Sequence, residues 1–377
     1  MRKAFFSVTP IVFLILPMFA RTAMWVPSGI FSLGDKSSVS AQAVRPGRDA
    51  ANKVRTRISE AKQQLAAQPT LAKDAVRLAA EDPLTAQIHL LTLPKDTFLT
   101  KDAEAALTTS LGSLVRLRVI RANGVNTAVA IFDNITGRQL APLAVQYPIV
   151  RNGGISEVGY YTSAHPAIDS PEVTQDGREY IHHRLNVAAR RLEEKGTKIA
   201  PDIINIAERL CVVEHTDHKR FQSEDRATLF NEITTLYALN TGDTYRYSVS
   251  SAGAGGMVQM IPSTYEMVRR LHPEANLNPD FVAGMRDHDN ALEAMLLYMQ
   301  RTWNDLARQE QVIRALDSQI ATQAELLAAG YNSNPARLSR YLERGDSAWR
   351  ALIPRETQMY LQIYAAVDSL VPMNPRS

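Results

Sequence analysis

The chain of 377 residues contains one cysteine, Cys211, so no internal disulfide can form and the thiol content says nothing about redox compartment. Charge of one sign is also scarce. A formal net charge of +3 is too small for a dedicated nucleic-acid binder and leaves no acidic solvating tail. Beyond residue 20 no apolar run approaches the length of a membrane-crossing helix. What remains is an ordinary globular composition, 45% hydrophobic and 21% charged, with room for two or three domains at roughly 150 residues each.

The amino terminus stands apart. Arg2 and Lys3 precede an apolar run from Ala4 to Ala20, the order of charge and apolarity in an export signal. The best small-x-small match for cleavage, Ala41 to Ala43, lies far downstream, so the run reads either as a cleaved signal or as an uncleaved membrane anchor. No cysteine closely follows it, which excludes a lipoprotein anchor. Either reading puts the body of the protein outside the cytoplasm, in the periplasm or cell envelope.

Residues 1–45 thus form a signal or anchor plus linker, since Gly34 to Arg48 is rich in Ser, Ala and Gly. Residues 46–112 read as a helical segment. Val54, Ile58, Ala61 and Leu65 recur near a 3.6 period, and Pro69 separates a second helical piece, Leu71 to Ala80, that ends at Asp82-Pro83. Residues 113–170 read as a small antiparallel β module. VRLRVIR and NTAVAIFD alternate apolar and polar residues, Asn123-Gly124 signals a turn, and further strand-like runs lie at Leu143 to Val150 and Gly159 to Thr162. This half could dock an envelope partner or serve as a structural appendage.

Residues 171–377 should be almost wholly helical, which makes the fold class α+β. Asp176 to Lys195 places Ile181, Leu185, Ala188 and Leu192 on one stripe, while the adjacent His182 and His183 point to different sides and do not converge as metal ligands. Pro201 opens the next helix. Ile203, Ala207, Leu210 and Cys211 share its apolar face, with Glu208 and Arg209 on the solvent side. Glu214 continues the apolar stripe. A carboxylate there needs a partner or a function, and burial should raise its pKa toward that of a general acid. An outward Glu214 would instead pair with Arg209 or Lys219.

A Gly/Ala-rich stretch follows at SSAGAGGMVQMIPSTY, Ser250 to Tyr265, with Gly253, Gly255 and Gly256 suited to the floor of a groove, and with Ser263 and Thr264 placed to cap a helix. Further on, Asp289 to Leu306 forms a helix with Leu292, Met295, Leu296, Met299 and Trp303 inward. Gln309 to Leu326 continues helical, and Tyr360 to Leu370 lies in the last helix.

Glu214, the SSAGAGGMVQMIP stretch, DHDN at 287–290, AAGYNSNPARL at 328–338 and IPRETQMY at 353–360 follow one another in an order that resembles the catalytic domain of soluble-lytic-transglycosylase type, a goose-type-lysozyme-like fold. The resemblance covers about 200–371. It implies cleavage of the peptidoglycan glycan strand between N-acetylmuramic acid and N-acetylglucosamine, with Glu214 as the single acid/base and no metal or cofactor. It implies a groove lined by Ser250, Gln259, Tyr331 and Glu356, with Tyr331 close to Glu214 and Asn290 in the helix behind the loop. The chain departs from the family pattern at His215, where Ser is usual, and in an insertion near 218–248 that adds Glu224 and Glu232 as rival carboxylates. Three other readings stay open. One is a lysozyme-type hydrolase of the same bond, another a non-catalytic wall-binding scaffold. The third is a metal hydrolase using His215 and His218 on one helix face, for which the HExxH order is absent.

Overall fold

The structure, a computed structural model, describes residues 46–376, with side chains from Ala51 onward. The apolar run Ala4 to Ala20 lies outside the described residues, as does the linker up to its last residues. Among the described residues no helix is long and apolar enough to cross a membrane.

Helix α1 (Pro46–Ala66) leads into seven antiparallel strands: β1 (Ala75–Glu81), β2 (Ile88–Pro94), β3 (Glu104–Thr108), β4 (Leu114–Arg121), β5 (Ala128–Asp133), β6 (Gln139–Arg151) and β7 (Gly154–Tyr161). One helical turn, α2 (Lys95–Phe98), interrupts them. Strand order is β2-β1-β6-β5-β4-β3, with β7 also on β6, and the sheet curls into a nearly closed barrel. Ser110, just past β3, donates its N–H to Leu90 of β2 and helps to close the ring.

The alternation in VRLRVIR is realised in β4, where Val115, Leu117 and Val119 fill the barrel and Arg116 and Arg118 face out. The turns fall at Gly124 and at Asp133-Asn-Ile-Thr-Gly, where Asp133 Oδ1 accepts from the N–H groups of Ile135 and Thr136. The sheet is larger than the sequence suggests. The second helical piece expected at Leu71 to Ala80 is instead β1, and β2 and β3 also fall in the segment read as helical. The reason lies in burial. β1 is covered on both faces: Val76, Leu78 and Ala80 face the barrel core, while Ala79 packs under α1 with Leu143 and Ala144 of β6. A strand buried on both sides loses its alternation, and alanine's helix preference yields to strand pairing.

The second half is helical: α3 (Pro171–Glu194), α4 (Pro201–Val213), α5 (His218–Ser223), α6 (Arg226–Leu239), α7 (Pro262–Leu271), α8 (Phe281–Arg286), α9 (His288–Leu306), α10 (Glu310–Asp317), α11 (Gln323–Asn332), α12 (Leu338–Gly345) and α13 (Arg355–Leu370). With about 52% of the chain helical, the class is mixed α and β. The stripe Ile181, Leu185, Ala188 and Leu192 of α3 is fully buried, as are Leu292, Met295 and Leu296 of α9. Trp303 is only half-buried against that core. The helix expected over Gln309 to Leu326 breaks after α10, where Gln319 takes a left-handed turn (φ 56°) and Thr322 starts α11 with a capping box. Pro262 begins α7 at its first position, so Ser263 and Thr264 sit inside its first turn and do not cap it.

The insertion joins the two halves. α6 lies along α3, and Leu236 of α6 belongs to the barrel core. Asn240, at the end of α6, donates to the Thr162 carbonyl (2.8 Å) and accepts from its N–H (2.8 Å). Glu232 pairs with Arg121 of β4 and Arg220 of α5, both at 2.7 Å, and Glu224 pairs with Arg220 at 2.8 Å. Both rival carboxylates are therefore held in ion pairs. α3 and α6 cross closely at Gly177, where a Cβ would stand 1.8 Å from the Thr234 carbonyl oxygen. Alanine in place of that glycine would gain about 1 kcal/mol of helix propensity. Against rigid backbone the overlap costs more, and Gly177→Ala should lose about 2–4 kcal/mol of unfolding free energy in urea titration.

Candidate active site

α4 is apolar over most of its surface, with Ile203, Ala207, Leu210, Cys211 and Val212 fully buried. Glu214 is the residue that closes it. Its side chain stays on the apolar stripe and does not turn back to Arg209, which pairs with Asp368 of α13, or to Lys219. Glu208, expected on the solvent side, is buried. It accepts from the Arg376 guanidinium and contacts His182 Nδ1 of α3 at 3.1 Å. The apolar stripe of α4 thus wraps further round than its spacing suggests, and Arg376, beyond α13, supplies the cation for the carboxylate it traps.

The Gly-rich stretch forms a tight loop. Gly253 (φ 78°) and Gly256 (φ 68°) take left-handed backbone, and Gly255 bridges to both Val249 and Met260. Any Cβ at Gly256 would lie 2.0 Å from the Met285 carbonyl oxygen, so only glycine lets the loop sit down on α8. Asn290 at the start of α9 braces the same corner. It donates to Tyr265 Oη (2.8 Å) and the Gly284 carbonyl (3.0 Å), and accepts from the Asn278 N–H (2.8 Å).

A groove of about 840 Å³ opens between this loop and the ends of α4, α9, α11 and α13. Glu214, Ser250, Gln259, Tyr331 and Glu356 all line it, so residues up to 142 positions apart in sequence converge on one cavity. Ser250 also closes the loop, its Oγ accepting from the Ala254 N–H at 3.0 Å. Gln259 sits in left-handed backbone (φ 46°) and donates to the Gly256 carbonyl (2.8 Å) and Ser248 Oγ (3.2 Å). Tyr331 donates to the Val258 carbonyl (2.7 Å), tying α11 to the loop, and its hydroxyl is pushed well above the ordinary tyrosine range by burial and by the nearby Glu214. Glu356 lies in the first turn of α13, where a carboxylate also suits the helix dipole.

One further residue reaches the acid. Tyr360 donates its hydroxyl to Glu214 Oε1 at 2.5 Å. It stands one turn after Glu356 on α13, and that i, i+4 spacing was the available signal in IPRETQMY. Loss of water raises the Glu214 pKa to about 8 from an ordinary 4.5; the Tyr360 hydrogen bond opposes the rise and the Glu356 charge adds to it. At neutral pH Glu214 is mostly a neutral acid, a proton donor open to the groove.

His215 turns the other way. Its ring stacks on Tyr245 with centroids 3.3 Å apart, and its Nε2 meets the Met257 carbonyl at 2.9 Å. Burial lowers its pKa to about 3, so it is neutral and acts as a prop beneath the loop. His218 begins α5 after a turn, so the two histidines do not share a helix. Among the described residues no group of three His, Cys, Asp or Glu side chains could hold a metal ion. Of the insertion only His218, at its start, lines the groove; none of residues 219–249 does.

Fold and site together define a mixed α and β protein whose helical half carries a carboxylic acid, neutral at physiological pH, in an open groove. No protein-family model matches the chain, and no curated protein matches it significantly.

Two outcomes test the electrostatics. Tyr360→Phe removes the one hydrogen bond that favours the carboxylate, so the Glu214 pKa should climb by about one unit, read by ¹³C NMR of the labelled carboxyl. Glu214 binds a proton up to about pH 8 when folded but only to about 4.5 when unfolded, so wild-type stability falls as pH rises between those values. Glu214→Gln lacks this loss. In urea titration it should match the wild type at pH 4 and exceed it by ~1–2 kcal/mol at pH 9, a figure discounted for the solvent in the groove.

Proposed function

We propose that the protein is a peptidoglycan lytic transglycosylase of the bacterial cell envelope, cutting the glycan strand between N-acetylmuramic acid and N-acetylglucosamine. The observation that carries this reading is the pairing of a proton-holding Glu214 with an open groove lined by the four residues that the sequence resemblance implies. An open groove lined by hydroxyl, amide and carboxyl groups suits an uncharged sugar chain.

Most glycosidases use two carboxylates. Here Glu214 serves in both roles. Its proton passes to the bridging oxygen as the glycosidic bond breaks, and the substrate's acetamido group stabilises the positive charge left on the muramyl ring. The Glu214 carboxylate then takes the proton of the muramyl C6 hydroxyl as that oxygen bonds to C1, which closes a 1,6-anhydro ring and restores the acid. No water is consumed. Tyr360 would hold Glu214 in place and soften the cost of its charged state, a contribution of positioning. Tyr331 and Gln259 act at one remove, by holding the Gly-rich loop in shape through the Val258 and Gly256 carbonyls.

A hydrolase of lysozyme type is the second reading, since an open groove also admits water. A wall-binding scaffold is the third. Digestion of purified peptidoglycan separates all three. We expect anhydro products, lighter by one water than reducing ends, with Glu214→Gln lowering the rate by at least about 10³-fold while wall binding persists. Reducing ends would favour hydrolysis, and wall binding without products would favour the scaffold. The rate should fall as pH rises through about 8, where the donor loses its proton.

A further inference from the structure

The groove that holds Glu214 carries a single strong cation on its wall. Among the described residues that line it, Arg301 alone is a lysine or arginine, set against the carboxyl groups of Glu356 and Asp305. Arg301 stands on α9, whose inward side is packed into the helical core, so its backbone is held in place. On the same helix the Tyr298 ring meets the Tyr331 ring edge-on, with centroids 5.8 Å apart, and Tyr331 lies beside Glu214. Arg301 follows Tyr298 by three residues, about 4.5 Å further along the axis at the rise of an α-helix. That step is comparable to the length of one sugar ring, which puts the guanidinium within a few rings of the acid.

This guanidinium is not committed to the protein. Asp305, one turn on, is its only carboxylate neighbour among the described residues. The two stand 3.8 Å apart, beyond hydrogen-bond distance, with side chains 45% and 57% exposed. An exposed pair of that geometry adds little stability and yields to a better partner. Arg350, by comparison, grips Glu325 with two bonds of 2.7 Å each. Arg301 thus keeps its paired donors available at a wall that a ligand must pass.

We propose that Arg301 is a specificity-determining residue that takes a carboxylate carried by the glycan, so that the groove selects muramyl chains over neutral chains of the same acetamido sugars. The inference rests on the reading of the groove as a glycan site. The sugar rings are uncharged and offer a cation no partner, so the anion must come from a substituent. The muramyl residue supplies one: its lactyl group ends in a carboxylate when bare, and in a carboxylate-bearing peptide when the stem is attached. A planar guanidinium meets either with two parallel N–H donors, a match that an ammonium cannot make.

The test is calorimetric binding with Glu214→Gln as the common background, so that every chain survives the measurement. Three hexasaccharides are compared: neutral chitohexaose, alternating N-acetylglucosamine and N-acetylmuramic acid with bare lactyl groups, and the same alternating chain with its peptides. We expect at least one muramyl chain to bind about tenfold more tightly than chitohexaose. A gain confined to the bare chain identifies the lactyl carboxylate, and one confined to the stem-bearing chain identifies the peptide's. Adding Arg301→Gln should bring the ratio to one, and Arg301→Lys should restore only part of it. Equal affinity for all three chains, or a ratio that survives Arg301→Gln, would overturn the inference. Absence of binding by any chain would overturn it together with the glycan reading of the groove. Failure of the lytic reading is a separate result, seen as wild-type digestion without anhydro products whatever these affinities are.

Discussion

The cost of holding one carboxyl group away from water governs the arrangement of the helical half. Glu214 emerges from the end of a helix whose last residues, Leu210 to Val213, are buried, so its charged form is disfavoured before any neighbour is considered. Tyr360 offsets part of that cost and Glu356 adds to it, yet desolvation dominates. This balance needs four separate elements in place: the end of α4, the Gly-rich loop, α11 and α13. Were any to withdraw, more water would reach the carboxyl and bring its pKa back toward the ordinary range. The close packing at Gly256 and the ties through Tyr331 and Asn290 therefore matter to the acid although none of these groups donates a hydrogen bond to it.

The barrel is coupled to this site through the insertion. Tyr245 packs against both the barrel core and the helical core, in a left-handed backbone conformation (φ 59°) that a tyrosine rarely adopts. Its ring lies flat on His215, which in turn holds the Met257 carbonyl of the loop. A displacement of the barrel would thus reach the Gly-rich loop within three contacts. Glu157 of β7 makes a parallel link, accepting from Tyr247 and Arg286 at 2.8 Å each. The insertion binds the two halves together while its residues beyond His218 stay clear of the groove.

The parts of the fold that could be read in the sequence were those with one wet face. β4 and α3 bury one side only, so their periods of two and 3.6 stand out in VRLRVIR and in the stripe from Ile181 to Leu192. β1 is buried on both sides, so its alanines looked helical. Glu208 was misplaced because α4 is buried round most of its circumference, and nothing in its local spacing announces Arg376 from the far end of the chain. The contact of Tyr360 with Glu214 is hidden in the sequence because a tyrosine on a helix stripe has the same spacing whether it fills core or meets an acid.

The order of the motifs, the apolar stripe that carries Glu214, and the glycines without which the loop could not turn or approach α8 are all legible in the linear chain. These are local properties, set by side-chain period and backbone freedom, and they survive in a linear reading. That Ser250, Gln259, Tyr331, Glu356 and Tyr360 meet Glu214 in one groove, and that Glu224 and Glu232 are tied up in ion pairs elsewhere, follows from long-range packing alone. A pKa depends on which groups and how much water surround a carboxyl in space, and that neighbourhood exists only once distant segments have packed.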